Sequence, residues 1–143
     1  MKAIKTLLII LIISTFYSCG DEDEVAMNEN LVYTVLDVTN GNNIDFNIYT
    51  MGGTESFTAN SNNYSFTTNT FSAAVISGTS FLYPLQINFD YLNNPGCVDV
   101  NTRIYHNGSL HESRNYTIGY ANFPTDICPD GISIYETYGI IAD

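Results

Sequence analysis

Phe81-Leu82-Tyr83-Pro84-Leu85-Gln86-Ile87-Asn88-Phe89-Asp90-Tyr91 is the stretch that decides the fold. Phe81, Tyr83, Leu85, Ile87, Phe89 and Tyr91 recur at every second position, and polar Gln86, Asn88 and Asp90 fill the alternate ones. A period of two belongs to a strand with one face in a core and the other in water. A helical period would scatter these aromatic rings around a cylinder.

The same rhythm recurs on both sides of this stretch. Ile44, Phe46 and Ile48 alternate with Asp45, Asn47 and Tyr49, while Val98, Val100, Thr102 and Ile104 alternate with Asp99, Asn101, Arg103 and Tyr105. Further strands are predicted at 32–38, 64–68, 71–76, 109–118 and 132–141. Turn signals separate them at Asn40-Gly41, Gly52-Gly53, Ser61-Asn62-Asn63, Ser77-Gly78, Asn93-Asn94-Pro95-Gly96, Asn107-Gly108 and Pro129-Asp130-Gly131. Composition agrees: Tyr (11) and Phe (8) are abundant, Trp is absent, and the usual material of long amphipathic helices is thin. Roughly seven to nine short strands with no helix signal predict an all-β, antiparallel, immunoglobulin-like sandwich forming one domain over residues 31–143.

Asn107-Gly108 predicts a two-residue type I′ hairpin, because both positions need positive φ. That register sets His106 opposite Ser109, Ile104 opposite His111 and Arg103 opposite Glu112, the last as a solvent-facing ion pair.

The N-terminus carries an address. Lys2 and Lys5 precede the apolar run Leu7–Ile13, and small or polar residues lead to Ser18-Cys19. A charged start, a short apolar stretch and a small-residue end predict a secretory signal over 1–18. The run is too short for a stable membrane span before Asp21-Glu22-Asp23-Glu24 ends it. Phe16-Tyr17-Ser18-Cys19 resembles the lipobox of bacterial lipoproteins, with Phe16 where Leu is commonest. That resemblance implies acylation of Cys19 and cleavage after Ser18. Residues 19–30 then form an acidic tether, similar to the export signal that sends Bacteroidota lipoproteins to the outer face of the outer membrane. The expected address is thus the outer membrane, lipid-anchored and surface-exposed, with the periplasmic face as the alternative.

Without Lys2 and Lys5 the chain keeps two basic residues, Arg103 and Arg114, against all 15 acidic ones, a formal −13. Such a surface repels phosphate, so nucleic acid is excluded as a partner. Three cysteines are odd for an exported protein, but assigning Cys19 to lipid leaves Cys97 and Cys128 to form a disulfide. A reactive thiol would want a basic activator, which neither has in sequence.

The hairpin stretch Val100-Asn101-Thr102-Arg103-Ile104-Tyr105-His106-Asn107-Gly108-Ser109-Leu110-His111-Glu112-Ser113 resembles small exported domains of the MmpS-like type. Ile44 to Thr50 followed by Gly52-Gly53-Thr54-Glu55 is similar to that family's second strand and turn. The resemblance implies an immunoglobulin-like sandwich acting as an envelope accessory or interaction module without catalysis. The chain departs from that pattern in its longer C-terminal part, residues 125–131 included, and in having lipid in place of a transmembrane anchor.

Catalytic signatures are missing from the sequence: there is no phosphate loop, nucleophile elbow or zinc spacing. No cofactor is expected, and the chain is read as a non-enzyme, with a small hydrolase or inhibitor as the remote alternative. His106 and His111, diagonal on the predicted hairpin, could share a metal with a carboxylate, although two surface histidines near a loop explain them more simply. Asp126 and Asp130 flank Cys128 and could help hold calcium, yet Pro-Asp-Gly is an ordinary turn. Tyr33, Tyr49 and Tyr105 share the outward phase and could form a binding stripe for sugar or protein; tyrosine is also an ordinary strand residue. The expected function is a non-enzymatic interaction or accessory module, held to the membrane by lipid and binding an envelope or extracellular protein. A glycan- or metal-binding surface module is the alternative.

Overall fold

A computed structural model describes residues 27–41, 43–90 and 96–143. The signal segment, Cys19, the acidic run and the Asn93–Pro95 turn lie outside the described residues. Among the described residues ten strands run in order: β1 Met27–Thr39, β2 Ile44–Thr50, β3 Gly53–Ala59, β4 Asn63–Thr67, β5 Phe71–Ile76, β6 Ser80–Phe89, β7 Gly96–His106, β8 Ser109–Asn122, β9 Asp126–Ile127 and β10 Ile134–Ile141. They form two antiparallel sheets, as the alternation predicts. Sheet A has the order β4-β1-β7-β8-β9, with β5 also on β1, and sheet B has β10-β6-β2-β3.

The core lies between the sheets. From β6 come Tyr83, Leu85, Ile87 and Phe89, which meet Val32, Leu36 and Val38 of β1 and Val98, Val100 and Ile104 of β7. Nineteen of the described residues form this buried cluster, and at roughly 1.5–3 kcal/mol for each large apolar side chain it is the main stabilising term. Tyr83 is fully buried, and its phenol oxygen lies 3.2 Å from Thr34 Oγ1 on the opposite sheet. Burial pushes the Tyr83 phenol above its ordinary value.

Three details differ from the sequence expectation. β1 begins at Met27, so residues 27–30 belong to the domain and not to the tether. β3 and the two-residue β9 are strands outside the predicted set. β4 and β5 share one edge of β1: β4 takes Val35–Thr39 and β5 takes Met27–Val32. At the gap between them Thr68 substitutes for a ladder partner. Its hydroxyl accepts from Thr34 N–H and its own N–H donates to the Thr34 carbonyl, at 3.0 and 2.9 Å.

Cys97 and Cys128 are bonded, with Cα atoms 5.8 Å apart. The bond ties the segment after β9 to β7 across β8. Closing a sequence separation of 31 stabilises by about 3–4 kcal/mol on the chain-entropy estimate. Beside it Gly119 has φ +112° and faces Phe89, so an added Cβ would lie 2.8 Å from that ring; this position needs glycine.

Candidate binding faces

Because the core occupies the inner faces, the chemistry left for recognition lies on the two outer ones. On sheet A the outward residues form rows across β1, β7 and β8. Tyr33 pairs with Tyr105, and Tyr105 with Leu110. The two tyrosine rings stack on each other at 5.0 Å and 6°. Leu31 and Leu110, 42% and 55% exposed, flank the stack. Directly beyond this apolar patch Arg103 forms an ion pair with Asp37. Further along, Asn101 Nδ2 donates to Asn115 Oδ1 at 2.8 Å and Thr117 Oγ1 donates to Asp99 at 2.7 Å. A shallow hollow of about 270 Å³ lies over these polar rows. The face is therefore graded, apolar at the hairpin end and polar at the other.

Sheet B presents a different surface. Tyr135, Gln86, Tyr49 and Thr54 form one row across β10, β6, β2 and β3, and Asn88, Asn47 and Ser56 form the next. Tyr49 thus sits on the opposite side of the molecule from Tyr33 and Tyr105, so the three predicted tyrosines make no common stripe. Strand phase was legible for each of them; sheet membership was not, because it depends on pairing across distant sequence. Tyr135 was missed, although its alternation with Ile134 marks it as outward-facing.

The hairpin departs from its expected register. The type I′ turn forms, with φ +48° at Asn107 and +78° at Gly108, and His106 pairs with Ser109. One pair further, the ladder shifts: Ile104 meets Glu112 and Arg103 meets Ser113, which leaves His111 as the extra residue of a bulge. The expected Arg103–Glu112 pair therefore does not form; Arg103 turns to Asp37, and Glu112 takes Arg114.

The shift also separates the histidines. His106 is only 9% exposed, so the surface reading fails for it. Its Nε2 lies 2.8 Å from Oδ1 of the buried Asn30, which also accepts from the Asp143 N–H at 3.1 Å. Phe81 meets the imidazole edge-on. His106 thus fastens the start of β1, the hairpin and the C-terminal end together. His111 is exposed instead and places Nε2 3.1 Å from the Gly139 carbonyl on β10. Asp126 accepts from Asn122, and Asp130 caps the Thr117 N–H at 2.6 Å. Among the described residues no group of three His, Cys, Asp or Glu side chains is gathered to hold a metal.

A third polar group lies between the sheets. Arg114 of β8 bonds Glu112 at 3.2 Å and Glu136 of β10 at 3.1 Å, and covers the Tyr138 ring. Tyr116 donates to Glu136 at 3.2 Å. Its phenol is held well above the ordinary range, first by burial and then by Tyr138 and Glu136. Among the described residues no helix is long and apolar enough to cross a membrane. Compared with family models, curated proteins and solved structures, the chain matches none.

Proposed function

We propose that this chain is a non-enzymatic interaction module, an exported lipoprotein held at the outer membrane by acylated Cys19 and displayed at the cell surface. Its contact surface is the hairpin end of the outer face of sheet A, and its partner is a neighbouring envelope protein. The accessory role implied by the MmpS-like resemblance belongs to the same reading.

The observation that carries the proposal is the position of the apolar patch. Leu31, Tyr33, Tyr105 and Leu110 lie at the end of the sandwich where the chain from Cys19 arrives. Seven residues lie between Cys19 and Met27, so the eight Cα-to-Cα steps reach at most roughly 30 Å. An anchored domain would hold this patch near the membrane, beside other envelope proteins. Exposed Leu31 and Leu110 with half-buried Tyr33 and Tyr105 suit the core of a protein interface, and the Arg103–Asp37 pair suits its polar rim. The pre-stacked tyrosines lose little side-chain freedom on binding.

A photo-crosslinking residue at Leu110, compared with one at Thr39 on the far end of the same face, tests this in whole cells. The expected result is a discrete adduct from position 110 that disappears in Cys19→Ala, together with loss of the domain when cells are shaved with protease. Equal labelling from both positions, or unacylated wild-type protein in the medium, would overturn the reading.

A further inference from the structure

We propose a second binding site on the outer face of sheet B, where an uncharged polysaccharide lies across Tyr135, Gln86 and Tyr49. It stands on the opposite side of the molecule from the protein contact and does not depend on it.

Geometry supplies the first argument. Tyr135, Gln86 and Tyr49 are register partners on three adjacent strands. With strands about 4.8 Å apart, the two tyrosine Cα atoms are about 9–10 Å from each other, the span of a short run of sugar rings. Tyr135 is 72% exposed and Tyr49 is 40% exposed. Tyr33 and Tyr105 already cover each other's faces on sheet A. Neither Tyr49 nor Tyr135 stacks on another aromatic among the described residues, so both have ring surface to offer the C–H faces of a sugar. Tyrosine adds a hydroxyl to that apolar body.

Hydrogen-bonding chemistry supplies the second. The adjacent row is Asn88, Asn47 and Ser56. Ser56 donates to Asn47 Oδ1 at 2.7 Å, which occupies the Asn47 oxygen and keeps its two amide hydrogens for another acceptor. Gln86 Nε2 lies 3.5 Å from Asn88 Oδ1, so Gln86 retains its carbonyl and Asn88 its amide hydrogens. Donors and acceptors therefore alternate along the face, and sugar hydroxyls both donate and accept. A shallow depression of about 430 Å³ continues over Asp45, Asn47, Ser56 and Thr58.

Charge selects the ligand class. Lys2 and Lys5 are the only lysines in the chain, and both arginines belong to sheet A strands. The outer face of sheet B thus carries no lysine or arginine of its own to meet a uronate, sulfate or phosphate, while Asp45 and Asp90 lie at one end of it. An anionic chain would be repelled, so the ligand is neutral.

The test uses the full chain carrying Cys19→Ala, run by affinity electrophoresis in gels containing laminarin, galactomannan or pullulan, with polygalacturonate as the anionic comparison. The expected result is retardation in at least one neutral gel and none in polygalacturonate. Tyr135→Ala and Tyr49→Ala should each weaken that retardation by about tenfold or more with unchanged melting temperature, whereas Phe123→Ala, an exposed aromatic on neither face, should bind as the parent does. The proposal fails if no neutral gel retards the chain, if only polygalacturonate does, or if both tyrosine variants bind normally. It also fails if sedimentation shows a dimer abolished by Leu82→Glu, since the exposed Leu82 and Ile141 of this face would then mark a contact between copies.

Discussion

The two long sides of the sandwich are closed in opposite ways. On one side β3 at the edge of sheet B meets β4 at the edge of sheet A through stacked rings. Phe57 lies 5.0 Å from Phe46, 4.3 Å from Phe66 and 5.5 Å from Tyr64, all within 10° of parallel. On the other side β8 meets β10 through Arg114, Glu112, Glu136, Tyr116 and Tyr138, and through the His111 contact to Gly139. β9 covers only the Tyr120–Asn122 end of β8, so the rest of that strand is an edge. The aromatic side removes area from water without needing aligned partners. The polar side rests the ring of the buried Tyr138 on the core, but its charged groups Arg114, Glu112 and Glu136 need aligned partners and stay partly in water, where charges contribute little. The difference teaches that one seam is closed by core packing throughout, whereas the other adds a set of polar fasteners over a single core ring, Tyr138.

Truncating the aromatic side should therefore have the largest effect. Phe57→Ala removes the ring that joins Phe46 to Phe66 and leaves a hole between two edge strands. The expected cost is about 3–5 kcal/mol, seen as a melting temperature more than about 10 °C lower. Phe57→Leu keeps most of the volume and should lose less than half of that. Calorimetry on the pair decides it: a loss under about 1 kcal/mol for Phe57→Ala would mean that the seam is not continuous with the core.

This asymmetry also marks how far the sequence could be read. The inward phases of β2, β6 and β7 are legible because each strand carries four or more alternating residues. The disulfide is legible because assigning Cys19 to lipid leaves two cysteines. Phe57 itself lies in Gly53–Ala59, where Thr54, Ser56 and Thr58 outnumber the apolar residues and the alternation is too sparse to identify a strand. The His106 error has a different origin. A hairpin rule fixes the first two pairs, but the bulge at His111 arises where β8 turns Glu112 and Arg114 toward β10, and His106 is buried by Asn30, 76 residues earlier. The separation of Tyr49 from Tyr33 and Tyr105 is likewise a matter of which strands pair, and period-two patterns carry no record of that.

Alkaline pH should sharpen the comparison from the polar side. Tyr116 has its phenol pKa raised in the folded chain, so the neutral form is the one the fold favours. A raised folded pKa means that this stabilisation is complete below about pH 10, the unfolded value, and is lost as pH climbs above it. Tyr83 acts in the same direction from inside the core. At pH 8, Tyr116→Phe loses the hydrogen bond to Glu136, worth about 0.5–1.5 kcal/mol. At pH 11 the wild type is itself penalised, so the gap between the two should narrow or reverse. Chemical denaturation at both pH values measures it, and a constant gap would show that Tyr116 ionises as freely in the fold as in the unfolded chain.

Arg114 should give the smallest effect of all. Its guanidinium joins β8 to Glu136 of β10, but 44% of the side chain remains exposed, and salt screens pairs of this kind. Arg114→Met keeps the stem over the Tyr138 ring while removing the charge. The expected melting shift is within about 2 °C at low salt, and should vanish in 0.5 M sodium chloride, because the wild type then loses the same attraction. Phe57→Ala measured in parallel should keep its full deficit at both salt concentrations, since ring burial does not depend on screening. An Arg114→Met deficit that is large and persists in salt would show Arg114 to be a desolvated anchor between the sheets, and the two sides of the sandwich would then be closed by interactions of equal weight.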